Sequence, residues 1–183
     1  MDGEVRVGRA GSRGAEADTG TDAAFRQFAT ANAAPLFRSA LLLTTDWHRA
    51  EDLVQDTLAR MYPIWRGIGR IDNPAAYAQT VLARQFLSQR RRRSAGELPT
   101  ATPPEALTAT GDADLRIALL AALRRLSPSD RAVIVLRYLA DRSVEQVAGD
   151  LDRSPSAVKV QSMRALARLR ALLGSDLAEL IEN

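Results

Sequence analysis

The stretch Ser143–Leu173, SVEQVAGDLDRSPSAVKVQSMRALARLRALL, constrains this chain most, because it carries two helix starts in close succession. Ser143 can cap a first helix, and Gln146 can reach back to the Ser143 backbone N–H as a capping box. Val144, Val147, Ala148 and Leu151 share one face of that helix. Asp152 and Arg153 make the turn, and Asp tolerates left-handed backbone better than most residues. Ser154-Pro155 then starts a second helix, with Ser as N-cap and Pro at the first helical position, where its missing N–H costs nothing. Val158, Ala165, Leu166 and Leu169 give that helix an apolar stripe, while Ser156, Lys159, Val160, Met163 and Arg164 face the other way. This is the layout of a DNA-reading helix-turn-helix, in which residues near the start of the second helix meet base edges in the major groove. The plainer alternative is a helical hairpin with a solvated basic face. Small Ala148 at the crossing and the spacing of the start signals favour the helix-turn-helix.

The remaining composition narrows the chemistry. The chain has no Cys, which excludes disulfides and thiolate metal sites, and its single His48 leaves little basis for a His-built metal site or a Ser/His mechanism. No phosphate-cradling Gly loop and no paired catalytic carboxylates stand out, so neither an enzyme nor a cofactor is expected. No apolar run approaches a membrane span and no signal peptide is visible, so a cytoplasmic protein without membrane insertion is expected. Net charge is only +3, so the placement of charge matters more than its sum.

Residues 1–22 are polar and rich in Gly, Ala, Asp and Arg, and are expected to be disordered. From Ala23 to Leu43 an amphipathic helix is predicted, kinked or divided at Pro35. Asp46 can cap the next helix, Trp47–Arg66, whose stripe is Ala50, Leu53, Val54, Thr57, Leu58, Met61, Tyr62 and Trp65. Glu51, Asp52, Gln55 and Asp56 form an acidic patch away from that stripe. Two readings stay open for it: a favourable interaction with the helix dipole, or a docking face for a basic partner. Arg70–Pro74 reads as a short loop, and Asn73-Pro74 repeats the cap-plus-proline start. The following helix, Ala75–Arg93, ends in Arg90, Arg91, Arg92 and Arg93. These suit the helix C-terminus, but with Arg84, Tyr77 and Phe86 they also mix cations with aromatic rings. That mixture suits phosphate contact and stacking of unpaired bases.

Residues 94–114 are Pro- and Thr-rich and are expected to form an extended linker, able to span on the order of 70 Å at ~3.3–3.6 Å per residue. Beyond it, helices are predicted at Leu115–Leu126 and from Ser127-Pro128 onward, completing a four-helix DNA-binding module with the helix-turn-helix. Gly174 is expected to end the last long helix, leaving 174–183 as a tail. The fold class is therefore all-α: two small helical domains, 23–93 and 115–173, on a Pro-rich linker.

Two motifs in this order resemble the sigma-70 family, specifically its extracytoplasmic-function sigma factors and their SigE-like branch. LLLTTDWHRAEDLVQDTLARMYPIW at Leu41–Trp65 is similar to the region 2 signature around A-E-D-L-V-Q-D. LSPSDRAVIVLRYLADRSVEQVAGDLDRSPSAVKVQSMRALARLR resembles region 4. The resemblance implies that Glu51, Asp52, Gln55 and Asp56 dock on the β′ clamp helices of core RNA polymerase. It implies that Arg70, Asn73, Tyr77, Arg84 and Arg90–Arg93 engage the −10 element and its opened single strand. It gives the face Ser156, Lys159, Val160, Met163 and Arg164 to the −35 element. The partners it implies are core polymerase, through β′ and β, and promoter DNA; an anti-sigma factor is a further partner the family admits. The chain departs from the family at Thr45 and Asp152, where Gly is frequent, at Arg84, where Asn is frequent, at Ala157, where Thr is frequent, and at Gln89 and Arg90, where Trp is frequent in the branch. Rival readings are a free-standing helix-turn-helix regulator and a degenerate sigma factor that only titrates an anti-sigma factor.

Overall fold

The computed structural model describes residues 12–94 and 112–181, and every regular element in them is helical. The order is α1 (Ser12–Thr44), α2 (Trp47–Met61), a 3-10 helix (Tyr62–Arg70), α3 (Pro74–Ser94), α4 (Asp112–Arg124), α5 (Pro128–Ile134), a π-helical turn (Val135–Leu139), α6 (Val144–Leu151) and α7 (Pro155–Ile181). The expected extended linker lies, apart from its two ends, outside the described residues.

Several boundaries differ from expectation, each for a local reason. α1 begins at Ser12, so the expected disorder of 1–22 fails over its second half. Extending an existing helix costs far less than nucleating one, and this segment is anchored at its end. The Tyr62 hydroxyl donates to Asp22 Oδ1 at 2.7 Å, and the Phe25 ring packs edge-on against Tyr62 and Trp65. α1 also passes through Pro35 undivided. Proline removes one backbone donor, and both sides of it are held in place by one apolar cluster: Phe25 and Phe28 pack on it before Pro35, and Leu36, Ala40 and Leu43 are buried in it after. α2 stops at Met61 instead of Arg66, because Pro63 ends regular pairing and the chain tightens into the 3-10 helix. Arg70 closes that helix and does not begin a loop. α4 starts at Asp112, before the expected Leu115. α7 does not stop at Gly174 but continues to Ile181, a continuation that an interior glycine burdens by only about 1 kcal/mol.

The local starts follow the sequence closely. Asp46 Oδ1 accepts the Arg49 N–H at 2.9 Å, and Asn73 Oδ1 accepts the Ala76 N–H at 2.9 Å. Ser127 caps α5 by accepting the Asp130 N–H at 3.1 Å. Thr45 sits in left-handed backbone at φ 57°, which is the conformation a glycine would take without cost.

The two halves of the chain do not pack as separate cores. The first apolar cluster joins Leu36, Leu43, Leu53, Met61, Leu82 and Phe86 to Ala132 and Val135 from the C-terminal half. The second places Ala83 of α3 among Val133, Leu136, Val147, Ala148 and Val158. The third joins Leu123, Leu126, Ile134 and Leu169, with Leu42 of α1 against it. Burying a side chain such as Phe86 contributes about 1.5–3 kcal/mol, so clusters of this size hold the halves firmly together.

Candidate nucleic-acid interface

The helix-turn-helix is built as its sequence directs. Ser143 Oγ accepts the Gln146 N–H at 3.1 Å, and the Ser143 N–H donates to Gln146 Oε1 at 2.8 Å, a complete capping box. In the first turn of α6, hydrogen bonds from its own backbone N–H and from the Ser143 side chain hold the Glu145 carboxyl below its usual pKa. Asp152 ends α6 in the left-handed conformation, φ 55° and ψ 56°. Ser154 Oγ then accepts the Ala157 N–H at 3.3 Å, opening α7. Val158 and Ala165 are buried and Leu169 nearly so, which fixes the rotation of α7. Ser156, Lys159, Val160, Met163 and Arg164 are all exposed on the opposite face, with Met163 63% exposed and Val160 46%. Two large apolar side chains left in water beside Lys159 and Arg164 form a surface suited to a base-pair edge with a thymine methyl and its flanking phosphates.

Gln161 was not singled out by the sequence, yet it organises this face. Its Nε2 donates to Ser129 Oγ at 2.8 Å and Asp130 Oδ1 at 2.7 Å, and its Oε1 accepts from Arg153. It thereby ties α7 to α5 and sets Arg153 at the edge of the recognition face. A shallow hollow there is lined by Val160, Gln161, Arg164 and Arg168.

The acidic patch lies on α2, opposite the buried Ala50, Leu53, Thr57 and Met61. Glu51, Asp52, Gln55 and Asp56 are all exposed. Glu51 Oε1 accepts from the Trp47 indole at 3.1 Å, and its other oxygen lies 3.6 Å from His48 Nδ1. Asp56 Oδ2 accepts from Gln89 Nε2 at 3.0 Å. Arg49, Asp52, Gln55, Asp56 and Gln89 line one small hollow, so α3 borders the patch through Gln89.

The residues expected at a single strand are divided between two faces of α3. Tyr77, Arg84 and Arg91 line a groove of about 970 Å³ whose far wall is Gly149–Arg153. Arg60 and Arg153, which sequence reasoning missed, add two more guanidinium groups to it. Arg90 turns to the other face, with its guanidinium 5.8 Å from the Phe86 ring centre. Arg92 is exposed and donates to Ser88 Oγ at 3.3 Å. Asn73 is occupied as the cap of α3. The side chains of Arg70 and Arg93 lie outside the described residues.

Arg84 is engaged in a way the sequence did not suggest. It donates from Nε to the Asp150 carbonyl and from Nη2 to the Gly149 carbonyl, the latter at 3.0 Å. Asp150 is buried, accepts from the Thr80 hydroxyl at 2.9 Å, and pairs with Arg142 through Nε at 3.1 Å and Nη2 at 3.0 Å. Arg131 is buried between the halves, donating to the Leu43 carbonyl at 2.9 Å. Burial, reinforced by Arg90 and Arg124, pushes its guanidinium pKa down to about 10.

Comparison with known proteins agrees with this layout. Residues 28–96 match the model of Sigma-70 region 2, and residues 116–169 match that of Sigma-70, region 4. The chain is 36% identical over 156 residues to the RNA polymerase sigma-E factor of Streptomyces coelicolor, covering 84% of this chain and 88% of that protein. It is 35% identical over 152 residues to the extracytoplasmic-function RNA polymerase sigma factor SigL of Mycobacterium tuberculosis, covering 78% and 84%. Among solved structures it is similar to the sigma factor RpoE of Bartonella quintana, crystallised with the anti-sigma factor NepR. That match has a TM-score of 0.63 and 28% identity, and covers 82% of this chain and 96% of the other. With both family regions in order and relatives matched over most of their length, the chain belongs to the sigma-70 family as an extracytoplasmic-function sigma factor.

Proposed function

We propose that this sigma factor docks on core RNA polymerase through Glu51, Asp52, Gln55 and Asp56, and reads promoters with two separate faces. Promoter-specific initiation is the activity of the family, and the residue assignments are the proposal. The exposed face Ser156–Arg164 of α7 takes the −35 duplex, with Lys159 and Arg164 gripping phosphates and base edges while Val160 and Met163 supply apolar contact. The groove face of α3, with Tyr77, Arg84 and Arg91, takes the −10 strand once it is unpaired. Arg90, Arg92 and Arg93 add cation density at the end of α3, and Arg70 and Asn73 stand at its entrance. Nucleotide addition is the polymerase's work, and the chain acts with it in the cytoplasm. An anti-sigma factor is a further partner in this reading, by analogy with the Bartonella quintana protein.

The observation that carries this reading is the pairing of an exposed acidic helix face with a recognition helix on which Ser156, Lys159, Val160, Met163 and Arg164 are exposed. A free-standing regulator would need only the second. The discriminating experiment is binding of promoter duplex with and without core polymerase. Core-dependent tight binding is expected, whereas equal affinity without core would point to a free-standing regulator.

A further inference from the structure

We propose that Gln161 is a positioning residue for duplex reading: tied to α5, its amide holds the Arg153 guanidinium along one edge of the recognition helix, where Arg153, Arg164 and Arg168 grip one phosphate strand of the −35 duplex. The inference rests on the −35 assignment above.

The Gln161 amide is engaged at both ends, and its neighbours fix its orientation. Its nitrogen carries two N–H groups, and both find acceptors on α5: Ser129 Oγ at 2.8 Å and Asp130 Oδ1 at 2.7 Å. Its Oε1 accepts from Arg153 Nη1. A turned-over amide would set oxygen against the Asp130 carboxylate and N–H groups against a guanidinium, so one orientation satisfies all three contacts. Each end also meets a charged partner, and hydrogen bonds to ionised groups are the stronger kind. Gln161 is thus a neutral spacer between an anion and a cation that would otherwise pair with each other.

The placement of Arg153 supplies the purpose. It precedes Ser154, the cap of α7, at the end of a recognition helix that enters the major groove. Gln161 stands two turns further along, about 10 Å at 1.5 Å per residue. Helical side chains lean toward the N-terminus, so Gln161 reaches forward and Arg153 is drawn back beside the helix. Positions 153, 157, 161, 164 and 168 follow at helical spacing, with small Ala157 between the cations. Arg153, Arg164 and Arg168 are all exposed, and none makes an ion pair among the described residues. Their outward N–H groups therefore remain for a ligand, in a row beside Lys159 and Met163. Contacts of this kind set the register of a recognition helix on the duplex without reading its sequence. Asp130 lines the same hollow as Arg164 and Arg168, and its carboxylate would repel a phosphate or draw Arg153 to itself. The bond from Gln161 occupies that carboxylate and keeps the arginine for DNA.

The test uses the full chain on core polymerase and a promoter duplex that this holoenzyme transcribes, with affinity followed from about 50 to about 200 mM salt. Arg153→Ala should weaken binding about tenfold and reduce the salt slope by about one, since each phosphate contact contributes about 0.9 to it. Gln161→Ala should do the same although it keeps the arginine, because Asp130 then captures the guanidinium. The double variant should be no worse than either single one. Adding Asp130→Asn to Gln161→Ala removes the competing charge and should recover the lost unit of slope, a repair that a packing defect of α7 on α5 would not show. The same Asp130→Asn on Arg153→Ala should leave the slope reduced. An unchanged slope in Gln161→Ala overturns the positioning role. So does a loss that Asp130→Asn fails to repair, or one that it repairs equally without Arg153. Arg153 also borders the groove facing α3, so a loss of single-strand binding with duplex binding unchanged would assign it there and overturn the grip on the duplex. The −35 assignment fails separately if Lys159→Ala combined with Arg164→Ala leaves duplex affinity at the parent's value.

Discussion

Asp52→Lys separates docking from folding more cleanly than any other change in the acidic patch. Asp52 is exposed near the middle of α2 and makes no side-chain bond among the described residues, unlike Glu51, which serves Trp47, and Asp56, which serves Gln89. The cost to the fold should therefore stay within about 0.5 kcal/mol, the usual range for a surface substitution away from caps and networks. Docking is different. If Asp52 faces a basic group on the polymerase, reversal loses one close charge contact and places two cations together, a change of about 2–5 kcal/mol. At 1.4 kcal/mol per decade that is about 30-fold to several thousand-fold in affinity. The assay is competition of the unlabelled variant against a labelled parent chain for core polymerase, beside thermal melts of the variant alone. Salt should narrow the difference, because exposed charges are screened over about 8–10 Å at physiological ionic strength. A melt like the parent's with core affinity within threefold of it would refute the docking assignment.

Three further outcomes follow from the helix-turn-helix. Ser143→Ala removes the acceptor for the Gln146 N–H and half of the capping box, and should lower stability by about 1 kcal/mol, read by chemical denaturation. Asp152→Gly should raise stability by about 0.5–1 kcal/mol, because the residue is held at φ 55° and makes no side-chain bond among the described residues; an unchanged or lower melting temperature would contradict this. Lys159→Ala should weaken duplex binding similarly across sequences and reduce the salt slope by about one, whereas a loss confined to one sequence would make Lys159 a base-reading residue.

What could be read from the sequence was whatever neighbouring residues decide among themselves. Ser143 with Gln146, Asp46 with Arg49, and Asn73 before Pro74 are each complete within one helical turn, so their caps stand in the structure as their spacing directs. The stripe of α7 was equally legible, since Val158, Ala165 and Leu169 repeat on one face and leave Lys159 and Met163 outside. Extents were less legible. Gly174 and Pro35 are helix breakers by propensity, yet α7 and α1 continue through them, because a single unfavourable residue is outweighed by its neighbours. Least legible was everything joining the two halves. Thr80 and Asp150 stand 70 residues apart, and no periodicity links them. Arg84 reads in the sequence as one more cation of an Arg-rich helix, and only the fold shows it bonded to the end of α6. Ala83 likewise passes for helix filler until Val147 and Val158 close over it.

As a sigma factor, this chain directs core polymerase to promoters. Run-off transcription with purified core enzyme across a library of promoter fragments tests it most directly. Discrete transcripts are expected that require this chain, start downstream of paired −35 and −10 elements, and disappear with Asp52→Lys. Absence of any chain-dependent transcript across the library would contradict it.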